Sequence, residues 1–480
     1  MVPDPHLMES MRAVGYTLET AIADLVDNSI TAGASHVDIL FTGATDSYVA
    51  VIDNGKGMSA LEAQNAMRLA GNSSRNSRET HDLGRFGLGL KTASISQCRN
   101  LTVVTKKGGQ IYCYRWDLDY LASSGTWSLL HLDADEYSSL PEFDVLNELD
   151  SGTMVLWRNL DQLKATHGTL ESSMDESMVA VRRHLGLVFH RYLAGEHGKP
   201  FTISINYRKI EGADPLLKKH KATQAGASDR ISLPEGVIEL RPYTLPHLNK
   251  LTSKDKERAR IDGSLRDSQG FYIYRQMRLV IWGTWFRIAP KQELGKLARV
   301  QVDVPNSLDH LWSLDIKKAQ AVPPPIIRTR LRQVADSIIA PSRNVHTYRG
   351  RAAEKSQATH LWKVIEDRDA FRYEINREHP AVAALLSNVP DGQLTALSSL
   401  LNILEGSFPV DDVYNRLGQD FSHRPTSLDN QELKALAADL WGSLKSSMSP
   451  EIFISAMRET EPFSSDQHAV IYLEKAVHNG

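Results

Sequence analysis

The sequence predicts an α+β protein of two or three domains, and three observations carry that prediction. With 480 residues, 41% of them hydrophobic and 24% charged, the chain is long enough and apolar enough for more than one core. A helix-type pattern near the start is followed by short strand-type runs, and alternating runs recur between residues 201 and 304. Beyond Pro323-Pro-Pro the apolar spacing turns mostly helical. The expected division is 1–195, 196–330 and a mostly helical 331–480.

From Ser10 to Gly33, Leu18, Ile22, Leu25, Val26 and Ser29 recur at steps of three and four, the pattern of a helix with one buried face. That spacing puts Asp24 and Asn28 one turn apart, able to point at the same spot. Tyr48-Val-Ala-Val-Ile is a short apolar run of strand type that drops into Asp53-Asn-Gly55-Lys-Gly57-Met58. A polar stretch follows, Gly71-Asn-Ser73-Ser74-Arg75-Asn-Ser-Arg-Glu-Thr-His, and then Gly84-Arg-Phe-Gly87-Leu88-Gly89. Leu90-Lys91-Thr-Ala-Ser-Ile reads as a helix beginning just after these glycines, so backbone N–H groups and a positive dipole end are offered to phosphate. Later, Ser151-Gly152-Thr153 turns into a strand. Each match is weak alone, and Asp53 to Met58 taken singly is also an ordinary Asn-Gly turn. In this order and spacing they resemble the ATP-binding site of the GHKL family, named for gyrase B subunits, heat-shock chaperones of the ninety-kilodalton class, histidine kinases and MutL. There is no Walker A sequence, so a P-loop ATPase is not supported.

The resemblance implies a Bergerat-type α/β sandwich that binds ATP and Mg²⁺. The side-chain carbonyl of Asn28 is a hard oxygen, suited to a Mg²⁺ otherwise held by water and phosphates. Asp24 stands where a carboxylate accepts the proton of the water attacking the γ-phosphate. Most of the family carries Glu at that place, so here either the geometry adapts to a side chain one methylene shorter or hydrolysis is slow. Glu19 lies about 140° around the helix from Asp24 and is a poorer candidate. Asp53 is expected to accept the exocyclic amine of adenine, with Met58 packed on the base and Gly55 and Gly57 letting the backbone approach. Gly84, Gly87, Leu88 and Gly89 line the phosphates, Lys91 adds a cation near them, and the Thr153 hydroxyl helps hold adenine. Ser73, Ser74 and Arg75 belong to the family's lid over ATP; the alternative is a solvated loop.

Composition narrows the remaining classes. A formal net charge of −3 gives no global attraction to nucleic acid, so any DNA contact must come from local patches. The two cysteines, Cys98 and Cys113, lack metal-ligand spacing and point to a reducing compartment. No apolar stretch of about 18 residues is present and the N-terminus does not read as a signal peptide, so a cytoplasmic protein without membrane contact is expected.

Val179 to Tyr192 reads as an amphipathic helix, Phe201 to Ile210 as one alternating strand, and 271–275, 278–282 and 298–304 as further strands. This junction resembles the passage from nucleotide domain to transducer in gyrase B, MutL and the MORC ATPases, a resemblance covering roughly residues 5–330. It implies a lysine that senses the γ-phosphate, for which Lys317 and Lys318 stand in place; two solvated surface lysines are the alternative. Asn249 to Arg260, with Lys250, Lys254, Lys256, Arg258 and Arg260, is charge-rich and reads as a solvated loop first and a phosphate grip second. Leu216 to Lys221 has the same ambiguity. Helices are expected at 328–339, 361–376, 382–386, 394–404, 428–444 and 466–477. Asp466-Gln-His-Ala469 matches a tetrapeptide of MutL endonuclease domains, but Tyr472 stands where their Glu would be, and Ser464 with Gln467 explains the string as a helix cap.

The function expected is an ATP-hydrolysing conformational switch of the MutL and MORC type, a homodimer closing with ATP and acting on DNA or on a DNA-processing partner, in a setting such as bacterial defence or repair. The rival expectations are a chaperone-like ATPase and a non-hydrolysing ATP sensor, each acting on a protein partner.

Overall fold

In the computed structural model the described residues are 8, 9, 12, 15–68, 89–163, 169–261, 263–308, 323, 327–335, 338, 359–367, 370–410, 412, 413, 428–446, 448–466 and 468–479. Strands β1 (His36–Thr42), β2 (Tyr48–Asp53), β3 (Asn100–Lys107), β4 (Gln110–Asp117), β5 (Leu130–His131), β6 (Gly152–Arg158), β7 (Thr202–Ile205) and β8 (Arg208–Lys209) form an eight-stranded sheet in the order β5-β4-β3-β6-β2-β1-β7-β8. Only β1 and β7 run parallel. Because successive side chains point to opposite faces of a strand, each strand feeds two cores. Val49 and Val51, Leu101 and Val103, and Val155 and Trp157 enter one; Ala50 and Ile52, Val104, and Met154 and Leu156 enter the other. Cover on both faces is why β2 reads as an apolar run rather than as alternation.

The first core is closed by helices α1 (Leu18–Thr31), α2 (Ala60–Met67), α3 (Gly89–Gln97) and α4 (Leu170–Val188), which supply Ile22, Leu25 and Val26, Met67, Ala93 and Ile95, and Met178, Val181 and Leu185. The helix expected from Ser10 starts at Leu18, where Thr17 and Thr20 form a capping box. The second core is closed by Phe143 and Leu146 of a short helix, Phe143–Asn147. The single strand expected over 201–210 is a tight hairpin instead, β7 and β8, because Asn206 and Tyr207 adopt φ of +43° and +62° and turn the chain back.

Strands β9 (Gln224–Ala225), β10 (Asp229–Leu233), β11 (Gly236–Thr244), β12 (Gly270–Arg275), β13 (Arg278–Thr284) and β14 (Ala298–Val304) form a second sheet in the order β10-β11-β14-β12-β13, with β9 paired to β11. Phe271 and Ile273 of β12 face a core shared with Leu331, Val334 and Ala335 of the helical stretch 327–335, while Tyr272 and Tyr274 face the other way, in a cluster with Leu187 of α4. The charge-rich stretch expected first as a loop is helical over α5 (Ser253–Ala259), because Thr252 and Asp255 cap it reciprocally.

Residues 350–480 make a separate unit. The helix expected over 361–376 is a β-hairpin, β15 (Trp362–Asp367) and β16 (Ala370–Ile375), with Trp362 opposite Ile375 and Asp367 opposite Ala370. The period-two content of Trp362, Val364, Phe371 and Tyr373 prevails over the helical spacing, and Trp362 and Tyr373 meet each other and Phe408. The rest is helical: α6 (Pro380–Asn388), α7 (Asp391–Gly406), α8 (Asn430–Leu444), α9 (Pro450–Arg458) and α10 (Ala469–Asn479). Of these, α9 had no counterpart among the expected helices. Leu433, Trp441, Phe453, Met457 and Leu473 form the core of this unit. The last helix begins at Ala469 rather than after a cap at Ser464, which lies in a 3₁₀ turn. No helix among the described residues is long and apolar enough to cross a membrane.

Candidate functional site

The register of three adjacent strands assembles the centre of the site. Asp53 is paired with Thr153 across β2 and β6, and Thr153 with Thr105 across β6 and β3. The Asp53 carboxylate is 8% exposed; Oδ2 accepts the Ser29 hydroxyl at 3.0 Å and Oδ1 the Gly55 N–H at 2.8 Å. Burial pushes its pKa up, opposed by those bonds and by the Thr153 N–H. Thr105 Oγ1 accepts the Met58 N–H at 2.8 Å, donates to the Gly152 carbonyl at 3.1 Å and sits 3.2 Å from Thr153 Oγ1. Ser151 Oγ donates to the Gly55 carbonyl at 2.7 Å.

Two glycines have steric reasons beyond a close approach to a base. Gly57 has φ +61°, and a Cβ there would fall 2.0 Å from the Lys106 carbonyl oxygen. At Gly152 a Cβ would fall 2.1 Å from the Asp53 carbonyl oxygen. Both close approaches hold the loop after β2 against the strands beside it, so the turn that presents Asp53 is fixed by packing.

Asp24 and Asn28 lie one turn apart on α1, both part-buried, as the spacing predicts. Asp24 Oδ2 accepts the Tyr16 hydroxyl at 3.1 Å, and Oδ1 lies 3.4 Å from Arg278 Nη2. The same guanidinium places Nε 2.9 Å from Asp27 Oδ1. Burial, then the Asp24 carboxylate, drives the Tyr16 hydroxyl pKa far up, so Tyr16 is a donor throughout the physiological range.

Lys91, on α3, is 3% exposed, and its amine donates to the Arg68 carbonyl at the end of α2; burial lowers its pKa. Met58 packs, partly buried, against the first core. Gly89 opens α3, the helix expected after the glycines. Ser73, Ser74, Arg75, Gly84, Gly87, Leu88, Lys317 and Lys318 lie outside the described residues. Lys254 pairs with Glu211 at 2.6 Å and Arg258 lies 3.6 Å from the same carboxylate, while Lys250, Lys256 and Arg260 stand on or beside the same helix. His220 Nε2 lies 3.2 Å from the Lys250 carbonyl, so the basic stretches 216–221 and 249–260 meet.

Sequence reasoning missed Thr105, Tyr16, Arg278 and the role of Ser29. Ser29 had a signal, a polar residue on the buried stripe of α1. Thr105 and Arg278 had none, because pairing and sheet packing bring them in. The donor set suits a nucleotide: three donors occupy three of the roughly four acceptor sites of the Asp53 carboxylate and leave one for an amine, and Asn28 beside Asp24 offers hard oxygens to a divalent cation.

Comparison with known proteins agrees with this geometry. Residues 16–153 match the family described as histidine kinase-, DNA gyrase B-, and HSP90-like ATPase. The chain is 38% identical over 94 residues to ATPase morc-1 of Caenorhabditis elegans, a segment covering 19% of this chain and 10% of that protein. It is 36% identical over 111 residues to the DNA mismatch repair protein MutL of Phocaeicola vulgatus, covering 22% and 18% respectively. With ATPase MORC2 of Homo sapiens it shares 30% identity over 97 residues, 19% of this chain and 9% of that one. The matches thus span less than a fifth of these relatives. Over residues 16–153, which carry Asp24, Asn28 and Asp53, the chain is therefore similar to the GHKL ATPases.

Proposed function

We propose that the chain is an ATP-hydrolysing conformational switch, resembling MutL and the MORC ATPases in its nucleotide domain and in the second sheet that follows. The observation that carries the reading is the buried Asp53 carboxylate, set in a cradle of Ser29, Gly55 and Thr153 donors at the end of a central strand. Its remaining acceptor site takes the adenine amine, and Thr153 and Met58 bound the base. Asn28 holds Mg²⁺, which neutralises charge on the phosphates. In this reading Gly84, Gly87, Leu88 and Gly89 supply N–H groups to the phosphates, and Ser73, Ser74 and Lys91 add side-chain donors to them. Asp24 accepts the proton of the attacking water, and Lys317 or Lys318 senses the γ-phosphate. Catalysis is then positioning and charge stabilisation of phosphoryl transfer to water.

In this reading residues 1–195 bind nucleotide, 196–330 transmit its state, and 331–480 form a helical region that engages a partner. Two copies close on each other with ATP and reopen after hydrolysis. The client is DNA or a DNA-processing complex in the cytoplasm, in repair or in defence, and the meeting of the basic stretches around Lys250, Lys254, Lys256, Arg258 and Arg260 supports a phosphate contact without sequence reading. Light scattering tests the switch: with a non-hydrolysable ATP analogue and Mg²⁺ the mass should double or the dimer compact relative to ADP. An identical mass and shape in both states would refute the closing clamp.

A further inference from the structure

The second sheet reaches the carboxylate assigned to act on water. Arg278 opens β13 and is 6% exposed. Its Nε lies 2.9 Å from Asp27 Oδ1, its Nη2 3.4 Å from Asp24 Oδ1, and its guanidinium 5.6 Å from the centre of the Phe189 ring. Asp24's other oxygen accepts the Tyr16 hydroxyl at 3.1 Å. The carboxylate is thus held on one side by the segment leading into its own helix and on the other by a residue 254 positions away in sequence.

We propose that Arg278 is a positioning residue for Asp24, through which the six-stranded sheet sets the orientation of the carboxylate that receives the water's proton. This rests on the reading of Asp24 as general base. The reaction served is attack of water on the γ-phosphorus: the water's proton passes to Asp24 as the bond to the leaving oxygen breaks, giving ADP and inorganic phosphate.

Three features fit a positioning role. A guanidinium is a rigid planar fork, so Nη2 can donate to Asp24 while the same charged group stays in ion-pair contact with Asp27, which a single ammonium cannot do in the same way. The ion pair with Asp27 at 2.9 Å, which lacks hydrogen-bond alignment, and the Phe189 ring hold the guanidinium as a pivot, while the hydrogen bond to Asp24 at 3.4 Å lies at the long end of the range. A small displacement of β13 relative to α1 therefore makes or breaks the second contact before the first. Asp24 also has one rotatable bond fewer than the Glu usual in the family, so the guanidinium and the Tyr16 hydroxyl together suffice to aim it.

The test uses the full chain, with affinity for a fluorescent non-hydrolysable ATP analogue, phosphate release and thermal melting read on each variant. Arg278→Lys keeps a cation for Asp27 but loses the fork. It should leave analogue affinity within about twofold and lower kcat by roughly tenfold or more, the size expected of a misplaced catalytic group. In an Asp24→Asn background the same substitution should change residual turnover by less than about twofold, because the two residues act as a unit. Arg278→Gln, tested in parallel, carries the same expectations and keeps the test open if one variant does not fold. An unchanged kcat, or an equal fall in both backgrounds, overturns the proposal, the latter marking a purely structural ion pair. Wild-type turnover in Asp24→Asn with binding intact would instead remove Asp24 as the base, and absence of analogue binding to the wild-type chain would remove the ATPase reading itself.

Discussion

The two ends of the proposed nucleotide site are built by different physics. Around Asp53 the parts are backbone and strand register: Thr105, Thr153 and Asp53 in one row, and Gly57 and Gly152 pressed against neighbouring carbonyls. Around Asp24 the parts are side chains on a helix, held by a tyrosine hydroxyl and by an arginine from another sheet. The first end is set once the sheet has formed. The second depends on where β13 stands relative to α1, so it is the end that a conformational change can reset. Under the proposed function, the Asp53 end is the fixed base pocket of the switch and the Asp24 end the adjustable one.

Four substitutions break or sharpen this contrast, from the largest expected effect to the smallest. Asp53→Asn keeps the shape but turns an amide N–H₂ toward the adenine amine. Nucleotide affinity should fall about 100-fold or more, since a site built for a specific hydrogen bond rejects a mismatch strongly, as a fluorescent ADP titration would show. Gly57→Ala attacks the same end through the backbone. Its φ of +61° and the Lys106 carbonyl at 2.0 Å from an added Cβ leave no room, and a loss of about 3 kcal/mol is expected in denaturant unfolding.

Asn28→Ala tests the helix end. Mg²⁺-dependent ATP affinity should fall roughly 10- to 100-fold, as for loss of a metal ligand or its support, with the melting temperature without nucleotide nearly unchanged. Equal ATP affinity with and without Mg²⁺ in the wild type would count against Asn28 as ligand. The smallest effect is expected at Glu62, at the start of α2. The Lys107 ammonium, and then the Ser59 N–H, hold its pKa down to about 2. A depressed carboxylate contributes stability above its ordinary range and loses it as pH falls toward about 2. Solvent screening keeps the effect of Glu62→Gln below about 1 kcal/mol at neutral pH, and the difference in melting temperature from wild type should close on acidification.

The same contrast explains what was legible in the sequence. The placement of Asp53, Gly55, Gly57, Asp24 and Asn28 was legible because it is set locally: a carboxylate at a strand end, glycines in a turn, two polar groups one helical turn apart. The strands β2 and β6 were visible as an apolar run and as a turn into a strand, while β3, Asn100–Lys107, had no such signal. Arg278 was not, because no short-range pattern announces a partner 254 residues away. Residues 361–376 misled because Leu361, Val364 and Ile365, and Phe371 and Ile375, also stand three or four apart, and only cross-strand pairing decides between the two periods. The loop after Asn249 misled in the opposite sense: its charges suggested solvation, while the capping pair Thr252 and Asp255 was enough to start a helix.

The central claim is that the Asp53 cradle reads the amine of adenine. The most direct measurement is the affinity of the full chain for Mg²⁺–ATP against Mg²⁺–GTP, whose base presents a carbonyl where adenine presents the amine. ATP should bind about 100-fold more tightly or better, because a buried carboxylate facing a carbonyl oxygen loses its hydrogen bond and gains repulsion. Equal affinity for the two nucleotides, or binding of neither, would contradict the account.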